Sequence, residues 1–86
     1  MMFYVYVLYS PKDNRFYVGY SGNLQQRVND HLAGRVPITK NRLPLQLVYY
    51  EAFIDEITAR SQELFYKTGQ GRRILTKRLV FVKKIK

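Results

Sequence analysis

Two phenols, a guanidinium and an imidazole fall early in the chain, at spacings that could gather them on one surface able to hold an anion and move a proton. Phe3 to Tyr9 and Arg15 to Tyr20 have the Val- and Tyr-rich composition of strands, and Pro11-Lys12-Asp13-Asn14 between them is turn chemistry. A hairpin that pairs Ser10 with Arg15 sets Leu8 opposite Tyr17 and Tyr6 opposite Gly19. Tyr6 and Tyr17 then stand on the same face as diagonal neighbours. Gly19, without a side chain, is expected to leave an open floor beside Tyr6 where a phosphate could approach. Next comes a helix, opened by Ser21-Gly22-Asn23 and stopped by Gly34, in which Leu24, Val28 and Leu32 form a buried stripe. Ideal geometry sets Arg27 about 60° and His31 about 20° to one side of Leu24, at the edge of that stripe. A histidine there could shuttle a proton or touch phosphate, and a packed, hydrogen-bonded histidine fits the same position.

These side chains need a frame. Leu45 to Phe53 reads as a third strand, and Asp55 as the cap of a helix from about Glu56 to Thr68, with Gly69 and Gly71 breaking it. Ile74 to Val82 suits a short helix or a strand equally. Residues 35 to 44, with Pro37, Asn41 and Pro44, read as an exposed basic loop carrying Arg35, Lys40 and Arg42. The order predicts an α+β fold in which helices flank a three-stranded antiparallel sheet, ββαβα plus a short C-terminal element. The 86 residues leave room for one domain, 1–86.

Fifteen Lys and Arg against six Asp and Glu give 15 − 6 = +9, and from Arg60 onward nine basic residues accompany one acid, Glu63. Such a field draws polyanions, although a solvated basic face has the same composition. No apolar run approaches the roughly 18 residues of a membrane span, and no aromatic stripe opposes the basic segment, so a membrane partner is not expected. Cysteine is absent, which excludes disulfides and thiolate metal sites. With no export signal visible at the amino terminus, the expected compartment is the cytoplasm.

The motifs Tyr4-Val5-Tyr6 and Tyr17-Val18-Gly19, followed by Ser21-x-Asn23-Leu24-x-x-Arg27-x-x-x-His31, resemble the GIY-YIG nuclease superfamily, and most of all its small stand-alone bacterial branch. Thr39, Pro44, the strand Leu47-Val48-Tyr49-Tyr50-Glu51, and Ala59, Glu63 and Lys67 at four-residue steps extend the likeness. Where Gly-Ile-Tyr is usual this chain has Tyr4-Val5-Tyr6, which keeps the functional tyrosine. Thr68-Gly69-Gln70-Gly71 departs from the aromatic and basic residues the branch carries there.

The resemblance implies a metal-dependent endonuclease acting on phosphodiester bonds, with DNA ahead of RNA as partner; the oligomeric state is left open, with a monomer assumed. Catalytic roles are implied for Tyr6, Tyr17, Arg27, His31 and Glu63. Glu63 would hold one Mg²⁺, with Mn²⁺ as a substitute, because a hard carboxylate suits it and no second acid lies at a helical spacing. A plain Glu63–Lys67 surface pair, contributing about 0.2 to 0.5 kcal/mol, is the competing reading. Arg27 would hold the scissile phosphate. Tyr6 is expected to activate water as a phenolate, favoured by a neighbouring arginine, a metal ion and the basic field, with Tyr17 as its partner. Tyr4, Tyr49 and Tyr50 are assigned to strand packing. Gly19, Asn23, Lys40, Arg42, Lys67, Arg72 and Arg73 are candidate nucleic-acid contacts, of the kind that give affinity without sequence information. Asn23 also suits a helix cap. The alternative function is a non-catalytic basic nucleic-acid-binding module on the same fold.

Overall fold

The computed structural model describes residues 1–80 and residue 82. Strands β1 (Phe3–Ser10) and β2 (Arg15–Ser21) form the hairpin in the expected register, with Tyr6 paired to Gly19, Leu8 to Tyr17 and Ser10 to Arg15. Asn14 takes a positive φ of 58° in the turn, a conformation asparagine tolerates better than most residues. The Tyr9 hydroxyl donates to the Asn14 side chain at 2.6 Å, and the Asn14 backbone N–H donates to the Ser10 carbonyl at 2.7 Å.

Helix α1 (Leu24–Leu32) starts where Asn23 accepts a hydrogen bond from the Gln26 backbone N–H, and the chain leaves it at Gly34, φ 77°. The inward stripe differs from the expected one. Leu32 is 44% exposed, and His31 takes the inward place beside Val28. Leu24, Arg27, Val28 and His31 share a face at i, i+3, i+4 and i+7, so the helix turns a cation and an imidazole toward the sheet.

Strand β3 (Gln46–Phe53) pairs antiparallel with β1, which makes β1 central in the order β2-β1-β3. Alternation along β1 sends Val5 and Val7 to one side and Tyr6 and Leu8 to the other. Val5 and Val7 join Val18 in a core closed by α2 (Glu56–Tyr66) and α3 (Gly69–Arg78) through Ala59, Tyr66 and Leu75. Tyr6 and Leu8 join Leu45, Leu43, Leu24 and Tyr17 beneath α1. The α+β architecture is therefore the expected one, with the sheet between two helical layers.

Two expectations need correction. The segment 35 to 44 is exposed at Arg35 and Lys40 as expected, but it is anchored: Val36 and Thr39 are buried, a 3-10 turn spans Lys40–Arg42, and the buried Ser10 hydroxyl donates to the Arg42 carbonyl at 2.6 Å. Arg35 pairs with Asp30 at 2.9 Å and Arg42 with Asp13 at 2.6 Å. Helix α2 ends at Tyr66, short of the expected Thr68, and the glycines that follow open a new helix and do not end the helical structure. Thr68 leaves α2 to cap α3, accepting from the Gly71 N–H at 3.1 Å, and both glycines lie within α3. Ile74 to Arg78 is helical, while Phe81 of the ambiguous Ile74 to Val82 stretch lies outside the described residues.

On the α2 and α3 side, the Glu51 carboxylate of β3 accepts from the Tyr49 and Tyr66 hydroxyls at 2.5 Å each and from Gln62 at 3.1 Å, with Arg78 at 3.6 Å. Burial works to raise its pKa, yet these hydrogen bonds hold it below the ordinary carboxylate value.

A Cβ at Gly71 would run into the Phe65 carbonyl where α3 turns back on α2. Gly71→Ala should therefore lower stability by about 1 to 3 kcal/mol, an overpacking cost that exceeds the helix-propensity gain of about 1 kcal/mol. Gly69→Ala, where the nearest contact is Arg73 Nη1 at 3.7 Å, should leave stability level or raise it. Urea denaturation of the two variants checks the contrast.

Candidate active site

Tyr6 occupies the centre of the α1-side face and is 1% exposed. Its ring lies across Gly19 of β2, and a Cβ at that glycine would overlap the Tyr6 Cζ and Oη atoms. The open floor expected at Gly19 is thus filled by the tyrosine itself. The glycine is needed for the ring, and it offers no surface to a ligand.

The Tyr6 hydroxyl meets His31 Nε2 at 2.9 Å, and His31 Nδ1 meets Thr39 Oγ1 at 2.7 Å. His31 is fully buried, 0% exposed, and burial, with the Arg27 charge added, depresses its pKa below 6.5 despite the opposing pull of Asp30. The imidazole is therefore neutral at pH 7. Tyr6 departs from the expectation of a phenolate. Burial pushes its pKa up to about 12, the charges of Tyr17 and Glu63 add to the rise, and a hydrogen bond and charge from Arg27 pull only partly the other way. A neutral phenol donating to Nε2 leaves the Nδ1 proton for Thr39, which satisfies all three groups.

Tyr17 sits on the same side of the sheet as Tyr6, its ring 5.2 Å from that of His31, and the Tyr6 ring is 5.6 Å from the same imidazole. The C-terminal half of α2 reaches this edge of β2. Lys67 Nζ lies 5.9 Å from the Tyr17 ring centre and 3.0 Å from the Glu63 carboxylate. Glu63, its side chain 17% exposed, is close enough to act on Tyr6 electrostatically. Tyr6, Tyr17, Arg27, His31 and Glu63 therefore converge from β1, β2, α1 and α2.

A metal finds one carboxylate here. Among the described residues, no three His, Cys, Asp or Glu side chains group as a metal cage. The donors fit an ion held by a single hard oxygen ligand that keeps water or substrate oxygens in its remaining positions, a mode common for Mg²⁺.

The other candidates divide. Arg42, Lys67 and Arg72 share a cleft of about 560 Å³ with Arg15, Tyr17 and Ile38, bordered by β2 and α3. Arg42 gives its guanidinium to Asp13, whose pKa it lowers. Lys40 and Arg73 are exposed and do not line this cleft. Asn23 is spent on the α1 cap. Thr39, the second partner of His31, has no chemical signature in the sequence: it lies eight residues beyond His31, across a loop, where no helical or strand periodicity marks it.

Residues 2–76 match the family model of the GIY-YIG catalytic domain, and the chain belongs to this family, which lies in a nuclease superfamily. UPF0213 proteins are among its relatives. A UPF0213 protein of Pediococcus pentosaceus is 40% identical over 83 residues, 95% of this chain and 82% of that one. Another, from Pediococcus acidilactici, is 45% identical over 71 residues, 76% of this chain and 68% of its own length. The solution NMR structure of a UPF0213 protein from Bacillus halodurans superimposes with a TM-score of 0.57 at 30% identity, covering 90% of this chain and 84% of that one. No helix among the described residues is long and apolar enough to cross a membrane.

His31 is the one histidine in the sequence, so its titration can be read in stability. Its folded pKa is depressed, so the stability it contributes is complete above the unfolded value of 6.5 and declines as pH falls below it. The slope for one proton is at most about 1.4 kcal/mol per pH unit. Urea unfolding between pH 7.5 and about 5 should show this decline, above the range where carboxylates titrate. A His31→Gln variant should be flatter in that window.

Proposed function

We propose that this domain is a metal-dependent endonuclease that hydrolyses phosphodiester bonds of DNA, selecting structure over sequence. The observation that best supports this reading is the convergence of Tyr6, Tyr17, Arg27, His31 and Glu63 from four elements around one buried hydroxyl.

A phenol whose pKa stands near 12 is not a free phenolate at neutral pH, so Tyr6 works as a relay. The attacking water gives its proton to Tyr6 Oη as the Tyr6 proton passes to His31 Nε2. Burial keeps that nitrogen neutral and ready to accept, and Thr39 holds the ring. The water oxygen bonds to phosphorus, the bond to the leaving sugar oxygen breaks, and that oxygen takes a proton from solvent. Arg27 lies near the Tyr6 hydroxyl in the free domain; turning to the incoming phosphate, it offsets the charge growing on the phosphoryl oxygens. Tyr17 orients the water. Glu63 would hold one Mg²⁺, or Mn²⁺ in its place, which when bound supplies charge to the leaving oxygen. Lys67, released from Glu63, turns to the phosphate backbone. The small footprint favours backbone contacts over base readout.

The second reading is a basic nucleic-acid-binding module without turnover, and the Lys67–Glu63 pair at 3.0 Å favours it, because that carboxylate is already neutralised. One experiment separates the two. Wild type and Glu63→Ala are compared with Mg²⁺ on branched, nicked and single-stranded DNA. The nuclease reading expects cleavage by wild type that Glu63→Ala lacks, and a loss of about 100- to 1,000-fold in Arg27→Ala, the scale for removal of a preorganised donor. Equal activity in wild type and Glu63→Ala removes the metal site; no cleavage by wild type leaves the binder.

A further inference from the structure

On the far side of Tyr6 from Gly19, β3 sets Tyr50 directly opposite Tyr6. Cross-strand partners project to the same face, so Tyr50 shares the face that carries the site. Tyr6 leans over Gly19, toward β2 and away from β3, and does not cover this ring. Tyr50 is 52% exposed. It meets Tyr4, the next residue of β1 on that face, edge to face with centroids 6.1 Å apart at 64°. The assignment of Tyr50 to packing is therefore corrected: two rings form a ledge beside the site, and the outer one stands in solvent.

The occupant this ledge suits has a flat π surface joined to a negative charge. A net charge of +9 repels a cationic partner and draws a polyanion. Strands lie about 4.8 Å apart, and the Tyr6 hydroxyl stands over Gly19 of β2, so a ring stacked on Tyr50 of β3 would stand about two strand spacings, roughly 10 Å, from a phosphate held at that hydroxyl. The base of a nucleotide adjoining the linkage can reach that far. In a duplex both faces of an internal base are covered by its neighbours; an unpaired base has a free face to stack on an aromatic side chain.

We propose that Tyr50, backed by Tyr4, is a stacking platform for an unpaired nucleobase of the DNA strand whose linkage lies at Tyr6 and Arg27. This rests on the nuclease reading only for the position of the phosphate; the stacking itself needs no turnover. Tyr50 is then a specificity-determining residue, and the structure the domain selects is a strand with unpaired nucleotides.

The test is binding in EDTA, where metal-dependent cleavage is silent. The probes are a short single-stranded oligothymidylate carrying a 2-aminopurine, the same strand with an abasic site in its place, and a blunt duplex. Wild type should quench the 2-aminopurine and bind the base-containing strand more tightly than the abasic one. Tyr50→Ala should weaken that binding by about 5- to 100-fold, the range for loss of one base–aromatic stack, and abolish quenching, while binding the abasic strand as wild type does. Tyr50→Phe, which keeps the ring, should retain both. The platform is overturned if Tyr50→Ala matches wild type on the base-containing strand, if wild type does not distinguish the abasic strand, if the duplex binds as tightly with the same dependence on Tyr50, or if no DNA binds. Cleavage with Mg²⁺ is scored separately: quenching without cleavage keeps the platform and removes the nuclease, and cleavage without quenching does the reverse.

Discussion

The ring of Tyr6 lies across a glycine of the neighbouring strand, and the rest of the site is arranged around the hydroxyl that this placement fixes. Tyr6 is on the central strand, so its backbone is held on both sides by ladders. With the ring pinned, its oxygen meets His31, and His31 in turn needs a partner on its second nitrogen. Thr39 supplies it from a segment that would otherwise be a surface loop. A buried polar chain of this kind is costly when one link is missing and rigid when all are present. Here every link is present: no buried side-chain polar atom among the described residues lacks a partner.

The molecule buries two tyrosines fully, and it uses them in opposite ways. Tyr6 gives its hydroxyl to an imidazole and lies in the field of Arg27, a setting in which a proton has somewhere to go. Tyr66, on the other side of the sheet, donates to the Glu51 carboxylate, and burial together with that negative charge drives its pKa far up. A phenol facing a carboxylate is locked as a donor. The Tyr66 side of the sheet is therefore structural, while the Tyr6 side has the means for chemistry. Residues Tyr66 and Lys67 are consecutive, so the same turn of α2 that anchors the helix through Tyr66 also delivers Lys67 to Tyr17.

Much of this was legible in the residues. The hairpin register followed from turn chemistry and alternation, because a slip by one would have inverted every side chain. Asn23 and Asp55 announced their helices as capping side chains do. What failed did so for long-range reasons. Leu32 looked like core by periodicity, but the sheet needed an imidazole at that depth, and His31 took the inward place. Gly69 and Gly71 looked like breakers, yet Gly71 lets one helix come up against the carbonyl of another, a tertiary fact with no local signature. Neighbouring charges alone favour a Tyr6 phenolate. Burial, which no spacing rule reports, outweighed them.

One irregularity decides how β3 serves both sides. Between Val7 and Leu8 the ladder skips: Val7 pairs with Tyr49, Leu8 with Leu47, and Val48 is the surplus residue. Because of that extra residue, Leu47 and Tyr50 project to one side although an odd number of positions separates them. The strand has thereby acquired a point where its length can change without turning the remainder inside out. A deletion at Val48 would leave the aromatic half and the aliphatic half each facing as before, whereas a deletion of Glu51 would exchange the faces of Tyr49 and Tyr50, the residues between it and the surplus position.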